Sequence, residues 1–433
     1  MSKLIVEICK ISDIYQHPNA DKLDVVVIKG WHVISKRNEF TIGEHVIYFP
    51  PDSVLPPSIF NHPNDEIKGR LDCARYLTPM PKNGNFNGMR RVTACRLRGF
   101  VSYGLLMKIN PSFGDDPNWE IGTDVSSIFG VLKYEPPDEL NKGDAEKNNS
   151  RFYAYTSIEH YGNYPNSFKD NEEVVFTEKI HGSNVRIGLI TENNDKGELE
   201  WVIAVGSHSV RRKEYSKTET RFSEEDLKDK NIDLNNINVG DIIFDNWKLE
   251  QIIEYPDCLK FRCIKIDNNG NPIFTKSIYW TCCNQNIIDL LNHIKTNISW
   301  KEPIHSIMIY GEIYGNGIQD MKYGETQTNF RAFDISINNI YLDFDIQQEL
   351  FKKFNINTAP VLYRGPFSKD KVLEYTSGKT TICDPKIAGP FSGREGIVIK
   401  PIKETICKEI RSRKILKSIS ADYLSRKNPT EYH

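Results

Sequence analysis

The sequence predicts an α+β protein in two parts, a small amino-terminal β-barrel followed by a larger domain built on antiparallel sheets. Three observations lead there. At 433 residues the chain is too long for one compact core. Its first 132 residues hold short β-branched and aromatic runs punctuated by Gly and Pro. Its remainder mixes strand-like runs with helical spacing in an irregular order, unlike the regular alternation of a doubly wound sheet.

The elements follow in order. "LDVVVIKG" (23–30) and "EHVIYFPPDSVLP" (44–56) read as strands. "RVTACRLRGFVSYGLLMKI" (91–109) alternates, breaks at Gly99 and turns at Gly104. Residues 57–90, rich in Pro, Asn and Gly, read as a long loop or insertion. Residues 133–150 are polar and without apolar periodicity, which makes them the expected linker. The second domain, 151–433, has strand candidates at 173–179, 184–190, 200–206, 305–313, 329–337 and 394–400. A helix-and-loop region is expected over about 221–300, and "DIQQELFKKFN" (345–355) has helical spacing.

Composition excludes some classes. With 56 Lys+Arg against 58 Asp+Glu, the net charge of −2 announces no polyanion partner, so any basic surface must be local. Nine cysteines without paired zinc spacing read as free thiols of a reducing compartment. No run is long enough to span a membrane, so a soluble intracellular protein, cytoplasmic or nuclear, is expected.

The chemistry is concentrated in a few stretches. "EKIHGSNVRIG" (178–188) puts Lys179 before His-Gly-Ser-Asn. Gly182-Ser183-Asn184 could be an ordinary turn, or Gly182 could let the backbone approach a phosphate. "IMIYGEIYGNG" (307–317) places Glu312 among glycines, and "NFRAFDI" (329–335) carries Phe330 and Phe333. "REGIVIKP" (394–401) has Glu395 and Lys400 at the two ends of one strand, and "EIRSRKILKSIS" (409–420) is basic. Taken singly, each is readily a strand-end charge, a core ring or a solvated face. Their fixed order is harder to dismiss.

That order, from Lys179-x-His181-Gly182 through Glu312, Phe330-x-Ala332-Phe333-Asp334 and Glu395-Gly396-x-Val398-Ile399-Lys400 to Lys417, resembles the covalent nucleotidyltransferase superfamily of RNA ligases, DNA ligases and mRNA capping enzymes. The Lys-Ile-His-Gly form is most similar to phage-type RNA ligases that seal nicks in duplex RNA. "HPNADKLDVVVIKG" (17–30) resembles the start of the tRNA-binding-type OB fold. Little sequence follows Lys417, and the OB-like module stands in front. This order resembles RNA ligases with an amino-terminal OB module, more than DNA ligases or capping enzymes.

The resemblance implies an ATP-dependent RNA ligase, a monomer acting with ATP and Mg²⁺ (or Mn²⁺) on RNA, at nicks or ends. It implies Lys179 as the nucleophile that carries AMP. Glu178, Ile180, Asn184, Glu312, Phe330, Glu395, Lys400 and Lys417 would contact the nucleotide. Phe330 would be the ring on adenine, with Phe333 as the fallback. Glu312 and Glu395 would also hold the metal. His181, His208, Arg211 and Lys414 are further candidates, His208 standing where phage-type ligases carry a ribose-contacting arginine. Two basic groups, Arg211-Arg212-Lys213 with Lys217, and Lys408 to Lys417, could follow a phosphate backbone. The alternatives are a capping-type guanylyltransferase, a DNA ligase, or an inactive RNA-binding module.

Overall fold

The computed structural model describes residues 4–60, 71, 76–80, 88–134, 144–234, 236–255 and 258–426. Most of the expected loop at 57–90, and positions 135–143 of the expected linker, lie outside these residues. The chain forms two compact units, Met1–Pro137 with Thr156–Ile180 and Pro360–His433, and Asp138–Tyr155 with His181–Ala359. This division differs from the sequence boundaries, because the barrel groups with both ends of the second domain.

In the first unit, five antiparallel strands run in the order Leu105–Lys108, His45–Phe49, Glu7–Gln16, Leu23–Ile28, Trp31–Lys36. Neighbouring residues of one strand feed two different cores. Cys9, Val46 and Leu106 join one cluster, and Ile8, Ile47 and Met107 join the other. Both faces of the sheet are therefore covered, and "VIYF" (46–49) is buried throughout instead of alternating. Gly104 leads into the strand Leu105–Lys108 at φ +95°, where a Cβ would lie 2.5 Å from the Phe49 carbonyl oxygen.

A second sheet of this unit has the order Glu159–His160, Leu416–Ile419, Gly396–Pro401, Glu173–Lys179, Val361–Pro366. Its edge pairing, His160 with Lys417, is parallel. Trp31 of the barrel stacks on His160 with ring centroids 4.3 Å apart. Its indole N–H donates to Asn163 Oδ1 at 2.9 Å. Gly162 accommodates the ring: a Cβ there would come within 2.5 Å of it. The barrel thus packs against the strand pair that carries Lys417.

The second unit is built on a seven-stranded sheet, Ala145–Glu146, Arg211–Arg212, Leu199–Gly206, Ser183–Asn193, Ser306–Gly315, Thr328–Ile337, Ile340–Tyr341. Helices Gln285–Asn297 and Phe344–Lys353 cover one face through Leu290, Ile294 and Phe351, packed on Val185, Ile187 and Ile309. The expected helix-and-loop region also contains a small sheet that the sequence did not announce. Glu219–Ser223, Cys258–Lys265, Trp247–Tyr255 and Ile242–Phe244 form an antiparallel sheet, with Leu227, Leu249, Phe261 and Cys263 as its core. The described helices in that region are Glu224–Lys228, the short 3₁₀ segment Ile278–Cys282 and Gln285–Asn297. No helix of the described residues is long and apolar enough to cross a membrane.

Replacing Trp31 with Ala removes the ring that fills the space between Gly162 and His160. The expected cost is about 3–5 kcal/mol, the usual range for a buried Trp. It is read as a lowered urea midpoint, and Trp31→Phe should recover part of it.

Candidate active site

Lys179 ends the strand Glu173–Lys179, which is paired on both sides, with Val361–Pro366 and with Gly396–Pro401. The register sets Lys179 opposite Gly396, Thr177 opposite Val398 and Val175 opposite Lys400. In the next strand Lys417 lies opposite Val398. Directly opposed residues, and those two apart along a strand, share a face. Lys179, Lys400 and Lys417 therefore stand on one face of the sheet. Phe176, Ile397, Ile399 and Leu416 occupy the other, in an apolar core. Lys400 and Lys417 are 3% and 8% exposed. Buried cations grouped on one face suit a polyanion such as a nucleotide's phosphates.

Glu395 precedes the Gly396 strand and is 1% exposed. Its Oε1 lies 2.5 Å from Lys179 Nζ, a charge-assisted contact that fixes the amine. Gly396 lets this strand come close to the next, since a Cβ there would fall 2.1 Å from the Ser418 carbonyl oxygen.

Glu178 does not share this site through its side chain, which alternation directs to the opposite face. Its carboxylate accepts from Thr380 Oγ1 (2.6 Å), Thr381 N–H (2.7 Å) and Thr381 Oγ1 (2.6 Å). The expected nucleotide contact is thus left to its backbone. Ile180 is buried at 5% exposure. Lys414 points away from the lysine face: its Nζ bonds both oxygens of Glu172 at 2.7 Å.

The remaining candidates belong to the second unit. His181 is 3% exposed, with Nε2 2.7 Å from Asp320 Oδ1. Its backbone N–H donates to the Tyr323 hydroxyl at 2.8 Å, and Gln319 donates to the Gly182 carbonyl. Gly182 answers first to packing, because a Cβ would meet the Ile313 carbonyl oxygen at 2.2 Å. Asp320, Tyr323 and Gln319 carried no sequence signal, lying in an aperiodic loop.

Asn184 lies directly opposite Glu312 in the register. Arg186, two residues on and so on the same face, is 1% exposed. Burial pushes its guanidinium down to about 10. It donates from Nε to the Ser207 carbonyl (2.8 Å) and from Nη1 to the Phe152 carbonyl (2.7 Å). Its Nη2 and the Asn184 Oδ1 are buried without a hydrogen-bond partner. Sequence reasoning passed over Arg186 as one residue of a strand. Burial, with Arg186 adding, lowers the His208 imidazole below its usual range. Arg211 is taken up by Glu146 (2.8 Å) and Glu192, and Arg212 by Asp144 (2.6 Å). Arg413 is likewise paired with Glu404 at 2.7 Å. These arginines of the two basic groups brace the fold.

The two phenylalanines part company. Three residues apart on one strand, they point to opposite faces, and the register shift between Tyr310 and Gly311 leaves that unchanged. Phe330 lies opposite Ile313 and over Gly311, where a Cβ would meet its ring at 2.3 Å, and it packs on the helix-covered core. Phe333 instead rests on Tyr155, 4.9 Å between centroids, and Tyr155 packs on Tyr310 at 5.0 Å. Tyr310 shares its face with Glu312. The fallback ring, Phe333, thus lies on the Glu312 side, while Phe330, the expected stacking ring, belongs to the core on the other side. Among the described residues, no group of three or more His, Cys, Asp or Glu side chains is gathered as for a metal ion. Cys9, Cys95, Cys263, Cys282, Cys283 and Cys407 are free thiols, and burial pushes Cys282 up to about 12.

The sequence pattern of the RNA ligase family matches residues 172–419, more than half of the chain. The chain belongs to the RNA ligase family. An OB-fold domain family matches residues 5–109 of the ligase. No curated protein sequence matches it. In fold it is similar to the Naegleria gruberi RNA ligase with pyrophosphate, at 19% identity and TM-score 0.60 over 98% of each chain. A lysine-to-alanine mutant of that protein with ATP and Mn gives 20% identity and TM-score 0.61, again over 98% of each chain. A glutamate-to-alanine mutant with AMP and Mn gives 18%, 0.60 and 98% of each.

Glu178→Ala should strip three donors of their acceptor and cost about 2–4 kcal/mol of stability. Urea unfolding reads this loss. Activity per folded molecule should fall far less, the signature of a structural carboxylate.

Proposed function

We propose that the ligase joins RNA 3′-OH and 5′-phosphate ends with ATP, at nicks in duplex RNA, through AMP carried on Lys179. The observation that supports this most is the lysine face, where Lys179, held by Glu395, stands with buried Lys400 and Lys417. The Lys179 amine would attack the α-phosphorus of ATP; an N–P bond forms as the P–O bond to pyrophosphate breaks. Glu395 fixes the amine and by itself favours the ammonium, whereas the charges of Lys400 and Lys417 oppose a third ammonium on that face and favour the neutral nucleophile. They would also bind the α-phosphate. AMP then passes to the RNA 5′-phosphate, and the RNA 3′-OH expels it.

In the second unit, Glu312 would take metal or ribose. Asn184 Oδ1 and Arg186 Nη2, buried and unsatisfied, gain from a polar ligand and are proposed to contact the nucleotide. We infer that the adenine-stacking ring is Phe333. Carboxylates suit a hard divalent cation, so Glu312 and Glu395 would hold Mg²⁺ or Mn²⁺, whose chemistry is neutralisation of phosphate charge. The structure of the Naegleria gruberi RNA ligase mutant with ATP and Mn supports these cofactors. Residues 1–132 are proposed as the nucleic-acid-binding module, 151–433 as the adenylyltransferase domain, and the ligase as an intracellular monomer.

Incubation with radiolabelled ATP or GTP and Mg²⁺ tests the reaction class. Label from ATP that survives denaturation and disappears with chelator is expected; label from GTP would mean a capping enzyme, and none would mean a binding module. Nicked duplexes test the substrate. Sealing should be efficient wherever the 3′-OH side is RNA, because A-form sugar geometry aligns the attacking hydroxyl and an ångström of misalignment costs about 100-fold. Equal sealing of an all-DNA nick would make it a DNA ligase.

Phe333→Ala should raise the KM for ATP about tenfold, the scale of one lost base stack. Phe330→Ala should lower the unfolding midpoint and leave KM near wild type.

A further inference from the structure

The segment between Arg212 and Ser277 contains a two-stranded ribbon, Tyr215–Lys217 with Phe274–Lys276, that the proposed chemistry does not use. Tyr215 lies opposite Lys276, and Lys217 opposite Phe274. Opposed residues and residues two apart share a face. One face therefore carries Tyr215, Lys217, Phe274 and Lys276 in a checkerboard, and the other carries Ser216 and Thr275. Tyr215 is 54% and Phe274 59% exposed. The lysine side chains are 45% and 40% exposed.

Each lysine is held by a partly exposed carboxylate, Lys217 by Glu250 at 3.3 Å and Lys276 by Glu214 at 3.2 Å. Such pairs are weak and screened by salt, so they position the ammonium groups and yield readily to a phosphate. The two rings are diagonal neighbours, about 7–8 Å apart, which makes them separate platforms for flat partners. Rings for bases and cations for phosphates, on one exposed face, are what an unpaired nucleic acid strand recognises. A duplex keeps its base faces stacked inside and offers the rings nothing.

We propose that this ribbon face binds unpaired RNA, with bases stacked on Tyr215 and Phe274 and phosphates against Lys217 and Lys276. Such RNA would be a single-stranded tail or loop of the molecule being joined. The choice of RNA as the polyanion rests on the ligase reading; the site is otherwise independent of Lys179 and its neighbours.

The test uses two double variants of the full chain, Tyr215→Ala with Phe274→Ala, and Lys217→Gln with Lys276→Gln. A fluorescent single-stranded RNA oligonucleotide and a blunt RNA duplex are titrated at several salt concentrations, and adduct formation from ATP is measured alongside. The aromatic variant should bind single strands about tenfold or more weakly. The lysine variant should lose about 1.4 from the slope of log K against log salt, roughly 0.7 per released phosphate contact. Both should keep wild-type duplex affinity and wild-type adduct formation. Unchanged single-strand affinity in both variants, or no single-strand binding by the wild type, would overturn the proposal. So would concentration-dependent self-association of the wild type that the aromatic variant abolishes while RNA affinity stays constant, since the face would then be a protein contact. If the wild type forms no adduct yet the variants lose single-strand affinity as described, the ligase reaction fails and this site stands.

Discussion

Strand alternation across three paired strands is the constraint on which the lysine face of the first unit depends. Lys179, Lys400 and Lys417 are far apart in sequence, yet the register of Glu173–Lys179, Gly396–Pro401 and Leu416–Ile419 gives them one face. A slip of one residue in either pairing would turn a lysine into the core of Phe176, Ile397 and Ile399 and bring a hydrophobe out. That cost fixes the register. Gly396 tightens it by allowing the closest backbone approach. The same alternation sends neighbouring Glu178 the other way, where it holds Thr380 and Thr381. Adjacent residues of the first motif thus face opposite ways, Lys179 toward Lys400 and Lys417, and Glu178 toward Thr380 and Thr381.

The barrel belongs to this arrangement more closely than its place ahead of the linker suggests. Trp31 rests on His160, which is paired with Lys417. Ile419 donates its backbone N–H to His160 Nε2 at 3.3 Å. Further along, Arg96 reaches Asp422 at 3.0 Å, although that exposed pair contributes little. The amino-terminal module therefore buttresses a strand of the lysine sheet, whatever it binds.

Much of this was legible in the sequence. The strand candidates at 173–179, 184–190, 200–206, 305–313, 329–337 and 394–400 are all strands, because apolar and β-branched runs bounded by glycine leave few alternatives. What failed did so for physical reasons. Alternation tells that Phe330 and Phe333 face opposite ways but not which face is the core, and Phe330 packs on the helix-covered side. The 221–300 region hid its strands behind charged and Asn-rich segments, and its small core draws on residues as scattered as Leu227 and Phe261. Arg186, Asp320 and Trp31 act through contacts distant in sequence, for which no local pattern exists.

The central claim is that Lys179 carries AMP, and peptide mapping by mass spectrometry tests it most directly. The wild-type ligase is incubated with ATP and Mg²⁺, denatured and digested under conditions that spare a phosphoramidate. The account predicts the mass of AMP on the peptide containing Lys179 and none in Lys179→Met. AMP on Lys400 or Lys417 in the wild type, or an undiminished adduct in Lys179→Met, would contradict it.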